Sequence, residues 1–302
     1  MSKFSTERLK QLVTYAVKGA GFDSNIPESM ELGIKVSDSI ISFSTTTGET
    51  YLRVSDRCTA DDMNITVNAE IFSKLISKIT SDTVDIELNG KVLEIVGNGK
   101  YKLELIPDEE GNIKVFPDKF VKQTELVGTI PAIDVVTINT SIKASLSESV
   151  GSIYSQYYVG DVVASTDRIM LSILNKKYFD GAYLFSAEFV DLMLLSCADV
   201  SLYKSDNTIV AISNPTETCE IAICTKVPTD TSDYDIESLN KFANLSAPAF
   251  CRVKKVDLIN LLDRLSLFVN KFDEGAIKLH FTQDCIEVSS MASSGIERIE
   301  YT

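Results

Sequence analysis

The sequence contains no tryptophan and a single histidine, and none of its six cysteines belongs to a CxxC pair. With one histidine to complete a ligand set, Cys58, Cys197, Cys219, Cys224, Cys251 and Cys285 are not a zinc framework. They are expected as reduced thiols of a cytoplasmic protein. No apolar run approaches the roughly eighteen residues of a membrane helix, and the opening MSKFSTERLK is too polar for a secretion signal. G-x-S-x-G, H-E-x-x-H and a dinucleotide-binding glycine pattern are also missing, which removes three common catalytic signatures. Positive charge is scarce: 29 Lys and Arg stand against 43 Asp and Glu, a net charge of -14. That argues against a simple electrostatic grip on nucleic acid, though a basic patch inside an acidic shell remains open.

What is present is ordinary for a folded chain. Hydrophobic residues make up 44% of the 302 and charged residues 24%, enough for two or three domains. Residues 84–106, VDIELNGKVLEIVGNGKYKLELI, include GNGK, which invites comparison with a phosphate loop. The spacing is wrong for one, because Gly97, Gly99 and Lys100 run into the alternating Tyr101, Leu103 and Leu105. Asn89-Gly90 and Asn98-Gly99 between alternating apolar residues predict two tight turns and three antiparallel strands.

That meander has a counterpart. NAEIFSKLISKIT, with Asn68 as N-cap, precedes it, and SAEFVDLMLLSCA, with Ser186 as cap, precedes the similar DVSLYKSDNTIVAISNPTETCEIAIC. Earlier helices are expected from Thr6, where Gly19 and Gly21 mark the stop, from Ala132 (AIDVVTINTSIKASLS) and from Lys254 (KKVDLINLLDRLSLFVNKF). The unit is therefore helix, strands, helix, strands, repeating every 120–125 residues or so, about one domain in size. The expected domains are 1–127, 128–246 and 247–302, joined by linkers near 117–128 and 228–248, with the third showing only its first half. The fold class is α+β, tandem modules of two helices packed on antiparallel sheet.

The five expected helices together carry +3, so the strands and loops hold -17. Solvated helix faces often carry lysine. The sharper reading is a helical face turned to phosphates, and the excess of lysine over arginine suits contact without base reading.

Three local stretches resemble the bacterial sliding clamp, the beta subunit of DNA polymerase III. IELNGKVLEIVGNGKYKLELIP is similar to the end of that family's first domain. VVASTDRIMLSI resembles its central A-T-D-x-x-R-L strand, read at Ala164, Thr166, Asp167, Arg168, Ile169, Met170 and Leu171. SDYDIE, Ser232 to Glu237, falls where the family links into domain three. The resemblance implies a non-enzymatic processivity factor without cofactor. Two subunits would form a ring around duplex DNA, helices inside and sheets outside, opened by an ATP-driven clamp loader. The ring would tether the polymerase through a short apolar peptide.

Carried onto this sequence, DNA contacts would come from Arg8, Lys10, Lys18, Lys74, Lys78, Lys143, Lys254, Lys255, Arg264 and Lys271. The peptide would meet Tyr154, Thr166, Arg168, Met170, Leu171 and Phe272, and a homodimer would use Ile71, Leu75, Tyr101 and Leu103 against Leu267 and Phe268. This chain departs from the family's pattern at Met170, where the family has arginine, at Ser232, where it has proline, and in the missing terminal strand. Met170 and Leu171 also fit as plain strand core, and the interface residues as intradomain core.

Two other readings are set against this one. An enzyme would have to use His280 in the alternating KLHF, or the paired carboxylates Asp61-Asp62 or Glu109-Glu110 in turns. A modular shell protein without a DNA role would have no reason to gather its cations on helices.

Overall fold

The computed structural model describes residues 2–120, 125–149, 151–228, 231–244, 246, 250–268, 276–291 and 295–302. The chain forms two compact units, residues 1–239 and 240–302. The first holds the same order of elements twice. It begins β1 (Ser2–Ser5), α1 (Thr6–Ala16), β2 (Glu31–Ser37), β3 (Ile40–Thr46), β4 (Thr50–Arg57) and β5 (Met63–Asn68). α2 (Ala69–Lys78), β6 (Thr83–Asn89), β7 (Val92–Val96) and β8 (Lys100–Glu104) complete that round. The second round is β9 (Glu125–Ile130), α3 (Ala132–Thr137), β10 (Gln156–Val159), β11 (Val163–Thr166), β12 (Leu171–Leu174) and β13 (Tyr183–Ser186). It ends with α4 (Ala187–Met193), β14 (Val200–Ser205), β15 (Thr208–Ser213) and β16 (Glu220–Lys226). α5 (Ile236–Ala243) follows, and then α6 (Lys255–Ser266), β17 (Ile277–Phe281), β18 (Cys285–Ser290) and β19 (Ile296–Glu300) begin a third round. This is the expected α+β series of modules, with one strand more: each of the first two opens on a short strand, β1 or β9, that pairs with β6 or β14.

Pairing gives sheets in the order β1-β6-β7-β8 and β12-β11-β10-β13, an eight-stranded sheet β5-β2-β3-β4-β16-β15-β14-β9, and β17-β18-β19 in the second unit. The long sheet is two four-stranded halves, one from each module, fused where β4 lies antiparallel to β16. One apolar core runs through both modules. It includes Leu9, Leu12 and Val13 of α1, Phe72 of α2, Phe43, Leu52 and Val54 of the first module's strands, and Phe189, Ile221 and Ile223 of the second. Leu261 and Leu265 of α6 cover Ile286, Val288 and Ile299 in the second unit.

Local chemistry explains most boundaries. Ser5, Asn68 and Ser186 accept the N–H of Arg8, Ile71 and Phe189, so each caps its helix. β6, β7 and β8 form the expected meander. Gly90 has φ 60°, the left-handed turn conformation. Asn98 does a second job: its carbonyl accepts from Thr80 N at 2.6 Å and Ser81 N at 3.2 Å, tying the hairpin to the exit of α2.

The helix expected across 132–147 is shorter than its periodicity suggested. After Thr137 the chain widens into a π-helical turn, Ile138–Ile142, then a 3-10 turn, Lys143–Ser145. The segment is β-branched, and Thr137 and Thr140 bond back to the carbonyls of Ile133 and Val136, a competition that bends helices. The stretch expected as a linker, 228–248, holds the amphipathic α5, whose first turn is capped by Asp235 accepting from Ser238 N. Among the described residues no helix is long and apolar enough to cross a membrane.

Gly33 on β2 lies directly beneath Phe116 of the segment that leaves the first module; a Cβ there would sit 2.4 Å from the Phe116 Cβ. Gly33→Ala should therefore cost about 1–3 kcal/mol by overpacking, read as a lower urea midpoint with unchanged slope. Wild-type stability in that variant would mean the segment is not seated on the sheet.

Candidate functional site

The stretch VVASTDRIMLSI, expected as one strand, is a hairpin: β11 and β12 pair with Thr166 opposite Leu171. Asp167 forces the reversal. Its Oδ1 accepts from Met170 N at 2.6 Å and Ile169 N at 2.8 Å, and those donors hold the carboxyl below its usual range. Thr166 Oγ1 accepts from Arg168 N at 2.9 Å and donates to Met170 O at 2.6 Å. Ile169 is left 92% exposed and Met170 51%, so Met170 is a turn residue and not strand core.

Beside the hairpin lies a second apolar cluster made of Tyr158, Ala164, Leu184, Tyr234 and Leu239. Tyr234 is its buried centre. Its ring is 5.3 Å from Tyr154 and stacks on Tyr158 at 5.6 Å, while its hydroxyl donates to Ala164 O at 3.5 Å. Burial drives its phenol well above the normal range. Tyr154 is half-buried on a 3-10 turn, and the Arg168 guanidinium lies 4.8 Å from its ring centroid. Leu171 packs on the same cluster. The structure thus brings Tyr154, Thr166, Arg168 and Leu171 together, with Met170 at the exposed turn. Phe272 lies outside the described residues. Sequence reasoning did not select Tyr158, Tyr234 or Ile236 for this site, although Tyr234 sits inside the SDYDIE string that marked the link.

The basic helix residues divide into two groups. Arg8 binds Asp56 at 2.5 Å, Lys74 binds Glu70 at 2.5 Å, Lys143 binds Asp191 at 2.8 Å, and Arg264 reaches both Glu297 oxygens at 2.8 and 2.5 Å. Lys10, Lys18, Lys78, Lys254 and Lys255 form no ion pair with a described residue. Lys271 lies outside the described residues. α3 and α4 add little positive charge: Asp191 neutralises Lys143, and the outward side of α3 shows Ile133 and Val136.

Of the expected interface residues, Ile71 is exposed and Leu75 half-buried on α2, and Tyr101 is exposed on β8, a sheet edge. Leu103 on that strand turns inward and is 9% exposed, part of the first unit's core. Leu267 and Phe268 of the second unit are 81% and 52% exposed. The residues considered for catalysis do not converge. His280 is an exposed residue of β17 opposite Glu287, and Asp61, Asp62, Glu109 and Glu110 are exposed. Among the described residues no group of His, Cys, Asp or Glu could hold a metal ion. All six cysteines are free thiols, and burial pushes Cys224 up to about 11.

The fold is similar to that of solved DNA polymerase sliding clamps. A DNA polymerase sliding clamp from Bacillus subtilis superposes with a TM-score of 0.77 at 16% identity, over 99% of this chain and 83% of that one. The DNA polymerase III subunit beta from Pseudomonas aeruginosa gives 0.79 at 16% identity, over 100% of this chain and 85% of that one. A second Pseudomonas aeruginosa sliding clamp, bound to griselimycin, gives 0.80 at 14% over 99% and 84%. No family model matches the sequence, and no curated protein matches it. At these identities the likeness establishes the fold.

The Arg8–Asp56 pair yields a measurable pH effect. Asp56 has a side chain 6% exposed; burial alone would raise its carboxyl, but hydrogen bonds from Arg8, Thr218 and the Arg57 N–H bring it below the ordinary value. A depressed carboxyl stabilises the fold above its unfolded value and loses that contribution as pH falls through the folded value. Asp56→Asn should cost about 1–3 kcal/mol at pH 7, and the gap to wild type should narrow below about pH 4. Urea titrations across that range check it. A gap constant down to pH 2 or so would mean the charge of Asp56 is not what stabilises.

Proposed function

We propose that the chain is a sliding clamp: a non-catalytic, cytoplasmic processivity factor that encircles duplex DNA and tethers a polymerase by a peptide. Its modules are residues 1–127, 128–246 and 247–302. The observation that carries this reading is the fusion of two copies of one strand-helix-sheet unit, edge to edge, through β4 and β16. The same join works between copies. β8 occupies in the first module the place of β16 in the second, and β19 stands in the third where β4 stands in the first. Pairing β8 of one protomer with β19 of another closes a homodimeric ring, with Ile71, Leu75 and Tyr101 meeting Leu267 and Phe268.

DNA is held without base reading. Lys10, Lys18, Lys78, Lys254 and Lys255 are the readiest phosphate contacts. Arg8, Lys74, Lys143 and Arg264 would first have to leave their carboxylates. The acidic remainder of the chain repels DNA, which suits a ring that must slide. Polymerase and clamp loader dock by a short apolar segment over Tyr154, Thr166, Arg168, Met170 and Leu171.

Light scattering on the full chain tests closure. A mass twice 33.3 kDa that falls to the monomer value in Tyr101→Asp supports the ring. Retention on duplex DNA should fall steeply with salt, and Lys78→Glu should lower that slope by about one. A wild-type monomer at every concentration whose DNA retention ignores salt would contradict the reading.

A further inference from the structure

The two modules contain the same turn, and they differ at its one strained position. In the first, Thr46 Oγ1 accepts from Gly48 N at 2.9 Å and donates to Thr50 O at 2.9 Å. In the second, Thr166 Oγ1 accepts from Arg168 N at 2.9 Å and donates to Met170 O at 2.6 Å. Both turns join corresponding strands, and Thr46 pairs with Tyr51 as Thr166 pairs with Leu171. Gly48 has φ 109° and Arg168 φ 77°. Glycine takes that left-handed backbone freely, whereas an arginine Cβ is strained there. The first module shows that the turn needs no side chain at this position. An arginine that strains the backbone is therefore to be explained by what its side chain does.

That side chain lies over the Tyr154 ring and forms no ion pair with a described residue. Arg8, Arg53, Arg264 and Arg298 each face a carboxylate, whereas Arg168, like Arg57 and Arg252, pairs with none among the described residues. A guanidinium 4.8 Å above a ring centroid still has N–H groups to offer, and they match a carboxylate in a planar, two-bond pair. Ile169 and Met170 stand exposed beside it, and Leu171, Tyr154 and Tyr234 form the apolar floor.

We infer that Arg168 is a specificity-determining residue that selects extended apolar peptide segments carrying a carboxylate, Asp or Glu, next to their apolar anchors. This rests on the peptide-docking reading above. Tyr154 aligns the guanidinium, the turn fixes its origin, and the docked segment supplies the acid that no described residue does.

The test uses the full chain and two fluorescein-labelled octapeptides with alternating Leu and Phe anchors, identical except for one Glu or Gln beside the anchors. Fluorescence anisotropy should show the Glu peptide binding about tenfold tighter, the scale of one charged hydrogen-bonding pair. Arg168→Gly should remove that preference, leaving the two peptides with equal affinity, and its melting temperature should equal or exceed wild type because the strain is relieved. Equal affinity of wild type for the two peptides, or a preference that survives Arg168→Gly, overturns the assignment but leaves peptide docking intact. A lower melting temperature with both peptides lost makes Arg168 structural and also overturns it. Failure of wild type to bind either peptide overturns the docking reading together with this one.

Discussion

Antiparallel pairing of β4 with β16 is the interaction on which the remaining structure of the first unit depends. Thr50 to Ser55 lie opposite Thr225 to Glu220, turning two four-stranded sheets into one of eight. Without it each module would present a bare strand edge of unpaired N–H and C=O groups, a surface that attracts other chains. Leu52, Val54, Ile221 and Ile223 are essentially buried at the seam, each contributing about 1.5–3 kcal/mol by transfer from water. Side chains brace the same seam from two sides. Arg53 reaches Glu220, and Arg8, held by Asp56, extends to the Thr216 hydroxyl of the second module.

One consequence concerns charge. Cations that sequence alone would offer to DNA are partly consumed in holding the fold. Arg8 is committed to Asp56, and Lys143 to Asp191 between two helical segments of the second module. The helix faces are therefore less positive than their composition, and the second module's face is apolar at Ile133 and Val136. Any grip these faces have on phosphate is correspondingly modest. A second consequence is economy of design: one turn, built twice around Thr46 and Thr166, is left plain in one module and armed with Arg168 in the other.

Much of this was legible beforehand because it is local. Asn68 and Ser186 announce their helices, Asn89-Gly90 announces its turn, and the likeness of the two meanders reveals the repeat. What was hidden depends on partners distant in sequence or on side-chain hydrogen bonds that override periodicity. Ser2–Ser5 is too short to read as a strand until β6 lies beside it. Asp167 looked like a strand residue because its capture of two backbone N–H groups leaves no periodic trace. α5 was taken for linker because its flanks are polar and proline-bearing, while its buried neighbour Tyr234 is anchored by contacts some eighty residues upstream. Within the candidate site, Tyr154, Thr166, Arg168 and Leu171 were named from the resemblance, but the tyrosine stack that gathers them was not.

Native-state hydrogen exchange at β4 and β16 tests the central claim most directly. If the seam holds the two modules as one body, the seam amides of Tyr51, Arg53, Ala222 and Cys224 exchange only through global unfolding. They would then share one free energy, with equal sensitivity to denaturant. If β16 exchanges by a separate, lower-energy opening while β2 and β3 remain protected, the modules are independent, and edge pairing is not what organises this chain.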